Sequence, residues 1–420
     1  MFTDHVIDCL FPLNAFMKFT PKFIFILIFV GVILKMIKTY YYQNNMELIN
    51  TQEIFDWHFK ASFLGNMLLT FGSGLSFLSY KKYFPKYIIW CYLLIILLVT
   101  LTSLNDLNII IKNPAIFYSP KGLGTYLNFG LLFFAASEHF NKILKLFYWI
   151  SFVFIIAGII NLGKIGLGSS REQYLFAIRD FTVYLIWVFP FFFLQYEEDN
   201  KKNLLNLFVF LIIFLFVLST GSRSYLFIYL IYFFVKFKNQ LKSKNVVIII
   251  STGLLISVTG ILLFSDSGLG KVIEGALKIL SERSSEDSRS GQLIEFLDQF
   301  DLNFLFQGVG PISVWYWSAV GPYPFLDNLF LFLAWWAGLP TLIVYLYFLI
   351  KPLTQKAEIL FFEDVKGLKL IIVLWILGCL GLAIYAGISP DLYYDFFTLL
   401  MGLQTCKYTL LAQLDDEEQA

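Results

Sequence analysis

The chain has 420 residues, 58% of them hydrophobic, and a mean hydropathy of +0.71, with apolar runs of about 17 to 24 residues that are each long enough to cross a bilayer. This excludes a soluble globular domain and points to one polytopic helix bundle with loops attached. The formal net charge of +1 says nothing of partners; the placement of the charges does.

In chain order, the apolar runs predict helices over 22–38, 60–79, 87–104, 122–138, 146–162, 179–196, 204–219, 222–237, 245–264, 327–350, 367–388 and 391–410, twelve in all. Pro21 precedes the first run, and no small-residue cleavage signature follows it before Lys35 and Lys38, so it reads as an uncleaved helix rather than a signal peptide. Lysines follow the even-numbered helices: Lys81, Lys82 and Lys86, then Lys142 and Lys145, Lys201 and Lys202, Lys236 to Lys244, and Lys351, Lys356 and Lys366. The positive-inside bias therefore puts the even connections and both termini in the cytoplasm, and the odd connections outside. The chain divides into an N-terminal bundle of about nine helices (1–264), one large outer loop (265–326) and about three C-terminal helices (327–420).

Within the large loop, Leu269, Val272, Ile273, Ala276, Leu277 and Leu280 recur at helical spacing, as do Leu293, Leu297 and Phe300. Two amphipathic helices are expected, lying on the membrane or packed over the bundle. After them come Gly308-Val-Gly310-Pro311, Trp315-Tyr-Trp317 and Gly321-Pro-Tyr-Pro324, a stretch of helix breakers and interfacial aromatics that reads as irregular chain. No Walker or G-x-G-x-x-G element is present, which argues against a nucleotide-driven pump or a nucleotide-sugar enzyme. Cys9, Cys91, Cys379 and Cys406 are scattered, and His5, His58 and His139 are dispersed, so neither a disulfide framework nor a metal site is indicated.

All five arginines, Arg171, Arg179, Arg223, Arg283 and Arg289, fall in outer segments, in a chain that also has 26 lysines, found in every connection read as cytoplasmic. Guanidinium groups kept on the side opposite the bias need a reason, and bidentate binding of phosphate oxygens is one that lysine cannot replace. The competing reason is pairing with local carboxylates: Arg171 with Glu172, Arg179 with Asp180, and Arg283 and Arg289 with Glu282, Glu286 and Asp287. Arg223 is the sharpest case, because Ser219-Thr-Gly-Ser-Arg223-Ser is a short turn between two apolar runs with no acidic neighbour. Asp327-Asn328 opens the tenth helix; Asp327 suits an N-cap first and foremost, and second a general base whose pKa partial burial would raise, and the two roles are compatible. Asp106, Asp180, Asp266 and Asp391 lie near other outer helix ends and compete for that acid-base role.

The order Thr220-Gly-Ser-Arg223-Ser, a helix pair, a large outer loop with Arg283 and Arg289 leading to Gly308-Val-Gly310, then Asp327-Asn328 and a helix containing Gly338-Leu-Pro resembles the bacterial O-antigen ligase and polymerase superfamily, chiefly over 205–350. The resemblance implies an all-α fold similar to the GT-C type lipid-phosphate-sugar glycosyltransferases, in the bacterial inner membrane with its active site facing the periplasm. It further implies transfer of glycans carried on undecaprenyl diphosphate, with a chain-length regulator protein as partner and neither cofactor nor nucleic acid. In ligases the residue before the Asn at the loop's end is typically His; here it is Asp327, and the loop holds no His, which favours a polymerase joining repeat units. On that reading Arg223 and Arg289 serve the donor diphosphate and Asp327 the acceptor hydroxyl. Arg283, Arg179, Arg171 and Asn328 bind substrate. The rival from another class is a lipid-linked oligosaccharide flippase, which should bury cations inside its helices and show two similar halves; the sequence predicts neither.

Overall fold

A computed structural model of the chain describes residues 20–44, 52–114, 116–165, 171–195, 200–220, 223–237, 288–301, 305–324, 326, 328–354, 367–379 and 391–406. Five helices are long and apolar enough to cross a membrane, and four shorter apolar helices accompany them among the described residues. The chain is thus a predominantly helical protein of membrane type. The predicted helix 245–264, the first amphipathic stretch at 269–280, and Arg283 and Asp327 lie outside the described residues.

The long helices are α1 (Pro21–Asn44), α2 (Gln52–Tyr80), α3 (Lys86–Ser103), α6 (Phe140–Ile165) and α7 (Arg171–Gln195), and α8 (Asn200–Thr220) holds the first of the shorter apolar segments. Between α3 and α6 stand two short helices, α4 (Leu107–Lys112) and α5 (Leu123–Leu127). After α8 come α9 (Arg223–Phe237), α10 (Ser288–Gln299), α11 (Leu329–Ala337), α12 (Leu339–Ile350), α13 (Leu368–Cys379) and α14 (Leu392–Thr405). α7 and α14 form the centre: α7 is buried without interruption from Phe181 to Leu194, and every residue of α14 is buried. Aromatic rings fill the space between them. Trp375 of α13 stacks on Phe397 with centroids 4.1 Å apart and meets Trp187 edge-on at 5.0 Å; such contacts add to plain area burial.

Two predicted helices take a different form. The run 122–138 is the short helix α5 followed by a nine-residue 3-10 helix, Asn128–Ala136, buried at every position. Gly130 lets that segment lie against α2, since a Cβ there would stand 2.8 Å from both the Ser73 carbonyl oxygen and the Tyr92 hydroxyl. Asn128 Oδ1 accepts from Thr70 of α2 at 2.8 Å. The tighter 3-10 winding narrows the segment, and side-chain bonds and packing hold what is otherwise a less stable helix. The run 327–350 is broken into α11 and α12 at Gly338, where φ is +86°. Leu339 precedes a proline, and Pro340 has no N–H to continue a ladder, so the chain restarts there.

The stretch read as irregular contains a two-stranded hairpin, β1 (Trp315–Trp317) with β2 (Gly321–Tyr323), Trp315 opposite Tyr323. It is the exception to the all-α expectation. Alternating aromatics on a pleated ribbon allow cross-strand ring contacts, and Trp317 and Tyr323 lie 5.2 Å apart.

Candidate functional site at the outer loop

The C-terminal arm of the large loop is bound to the bundle through the break at Gly338. Helix α11 ends there, leaving its last carbonyls without helical donors. Val309 N–H donates to the Trp335 carbonyl at 3.0 Å and Gly310 N–H to that of Trp336 at 3.1 Å, while Leu339 N–H donates to Leu305 at 2.7 Å. This explains the Gly-x-Gly pattern. Gly308 (φ +72°) lies so close that a Cβ would run into the Trp336 carbonyl, and a Cβ on Gly310 (φ +94°) would sit 2.6 Å from Asp106 Oδ2. The Thr102 hydroxyl of α3 also reaches the Gln307 carbonyl at 3.3 Å.

Lys121, which is not among the candidate residues named from the sequence, completes the docking. It sits in the turn before α5 and is buried, with Nζ donating to the Ser313 carbonyl at 2.6 Å and lying 3.4 Å from its hydroxyl. The ammonium faces the Trp335 ring at 4.4 Å and Phe332 at 5.5 Å, both aromatic faces that attract a cation. Burial pushes its pKa down to about 7, against the opposing pull of Asp106.

Helix α10 is the second amphipathic helix expected of the loop. It carries Arg289 in its first turn. Phe296, buried, meets Trp315 of the hairpin at 5.5 Å and Trp335 of α11 at 5.7 Å. Glu295 accepts from the Ser318 amide at 2.8 Å and its hydroxyl at 2.6 Å, bonds that hold its carboxyl below the usual range. The Gln299 side chain donates to the Tyr316 carbonyl at 2.7 Å and accepts from its N–H at 3.0 Å. The buried face differs from the predicted one: Gln292 and Phe296 point inward, whereas Leu297 is 51% exposed. The reason is the hairpin, which packs on one side of α10 and selects the face it covers.

The remaining expected site residues fall as follows. Asn328, not Asp327, caps α11, with Oδ1 accepting from Phe330 N–H at 3.0 Å and Leu331 N–H at 3.1 Å. Arg171 opens α7 and Arg223 opens α9. Arg179 Nε donates to Asp180 at 3.1 Å, which is the local pairing weighed against a ligand role. The fold thus brings α10, the hairpin and α11 together around Trp335, and shows Arg179 engaged beside its own neighbour.

A second polar centre was also missed. Lys35 of α1 and Asp395 of α14 form an ion pair that is wholly buried, and Lys38 pairs with Asp391 at 3.1 Å one turn along. This corrects the expectation that no cation is buried inside the helices. The signal was present in the sequence as two lysines spaced i, i+3 and two aspartates spaced i, i+4 on runs that the topology orients oppositely. Among the described residues no group of three His, Cys, Asp or Glu side chains is gathered as a metal would need. A comparison with protein-family models, curated proteins and solved structures finds no match for this chain.

Proposed function

We propose that the protein is a membrane glycosyltransferase acting at the outer face of the bacterial inner membrane, an O-antigen polymerase that joins oligosaccharide repeat units carried on undecaprenyl diphosphate. The observation that carries the reading is the docking of the Arg289-bearing helix α10 on α11, the helix that begins at Asn328 immediately after Asp327, through Phe296 and Trp335. Two elements that the sequence resemblance ties to one reaction thereby share a packing partner. Twelve membrane spans in a GT-C type arrangement belong to the same proposal. It is supported by pairings that join only segments the charge-based topology puts outside: Lys121 with Ser313, and Lys38 with Asp391.

The chemistry forms a glycosidic bond from the acceptor hydroxyl oxygen to the donor's anomeric carbon and breaks that carbon's bond to the diphosphate. Negative charge grows on the departing diphosphate, so guanidinium groups aimed at it lower the barrier. Arg223 and Arg289 take that role, Asp327 accepts the hydroxyl proton, and Arg283, Arg179 and Arg171 guide the anionic carriers. Arg223→Lys, at unchanged protein level and membrane insertion, is expected to abolish long-chain polysaccharide in a complemented deletion strain. A normal ladder from that variant removes Arg223 from the mechanism.

The buried Lys35–Asp395 pair favours a second reading, a flippase for the same lipid-linked oligosaccharide, because ionisable groups inside a bundle mark substrate or ion pathways. Deletion separates the two. Loss of a polymerase leaves lipid A core capped with a single repeat unit, and loss of a flippase leaves none.

A further inference from the structure

We infer that Lys121 is a latch: its side chain holds the arm 305–313 on the bundle and, through the hairpin that follows, sets the position of the helix that carries Arg289. The path is continuous. Lys121 Nζ bonds Ser313, Ser313 is two residues from Trp315, and the hairpin is fastened to α10 by Glu295 with Ser318 and by Gln299 with Tyr316. The opposite end of the arm is fixed by backbone bonds to the end of α11 and the start of α12, together with the Thr102 hydroxyl of α3 on the Gln307 carbonyl. Among the described residues, Lys121 reaches Ser313 from the early part of the bundle, the Asp106 carboxylate stands beside Gly310, and Thr102 adds a neutral contact.

The groups facing the ammonium are Asp106 from the segment before α4, Ser313 from the arm, and the rings of Phe332 and Trp335 from α11. With the arm released, Lys121 regains water and an ordinary lysine pKa near 10.5, against about 7 when docked. The released state then binds more protons across that window. Docking strengthens by about tenfold per pH unit as pH rises above 7, and is flat below it. A neutral amine still donates to the Ser313 carbonyl, so the bond survives deprotonation.

The positioning role rests on the polymerase reading; the latch does not, and the experiment separates them. Hydrogen-exchange protection of 305–318 is measured on the purified full chain in detergent at pH 7 and pH 9, corrected for intrinsic exchange. The wild type is expected to gain protection at the higher pH. Lys121→Met is expected to lose about tenfold or more of the protection at pH 9, the scale of one buried bond to a polar lysine, and to lose the pH dependence with it. Unchanged protection with the pH dependence intact overturns the latch. Gly310→Ala guards against a folding failure of the first variant: it leaves Lys121 in place but presses on Asp106, and is expected to lower protection over the same residues. No loss there equally overturns the docked arm. Shortened polysaccharide chains from Lys121→Met support positioning. Loss of protection in Lys121→Met together with normal ladders from the deletion strain itself leaves the latch standing and removes the polymerase reading.

Discussion

Gly308 is the residue on which the outer arm turns. Its φ of +72° and its contact with the Trp336 carbonyl exclude any side chain. Gly308→Ala is expected to cost about 1–3 kcal/mol, the scale of a non-glycine residue forced into a sparsely populated conformation. Thermal unfolding in detergent measures it, and an unchanged midpoint would show that the arm is not docked there. The Gly-x-Gly pattern was visible in the sequence, but its reason was not, since nothing in the sequence says that a helix ends opposite it. Lys121 was missed for a different reason. Lys112 and Lys121 share a connection that the charge-based topology puts outside, where lysine needs an explanation as much as arginine does. Extended to lysine, the same argument would have raised Lys121 as a candidate. Asn328 was legible as a helix opener, and the choice of Asn over Asp as the cap depended on backbone geometry that only the fold supplies.

Among the elements, hydropathy found apolar length well and backbone continuity poorly. It reads a run such as 122–138 as one helix because a 3-10 segment buried on all sides is as apolar as an α-helix. Gly130 and Asn128 mark the difference only once α2 is known to lie beside them. The break at Gly338 was better signposted, by the Gly-Leu-Pro sequence itself. The helix pair α1 and α14 yields a sharper prediction. Removing one partner of a buried ion pair strands the other, whereas replacing both with apolar residues of similar volume is close to neutral. Lys35→Met alone is expected to destabilise by about 3–5 kcal/mol, and Lys35→Met with Asp395→Leu to recover most of the loss. If the double variant keeps its stability but loses function, the pair belongs to a pathway. If it keeps both, the pair serves only to fix the register of the first and last helices.

At the scale of the whole molecule, composition alone was enough for the membrane class. What composition could not supply is the packing order. α7 and α14 are central, their buried lengths mostly apolar with Asp395 of α14 held in an ion pair, while α1, α3 and α6 keep one face of exposed Ile, Leu and Trp such as Ile26, Leu97 and Trp149, as helices at a lipid boundary do. The proposed reaction uses this arrangement as a rigid base under the arm and the helix α10 that carries Arg289. The most direct measurement is reconstitution of the purified chain with undecaprenyl-diphosphate-linked repeat units in lipid vesicles. The account predicts glycans of two or more units with release of undecaprenyl diphosphate, and none with the Arg223→Lys variant. Vesicles in which the repeat unit stays single while its lipid carrier crosses the bilayer would contradict it.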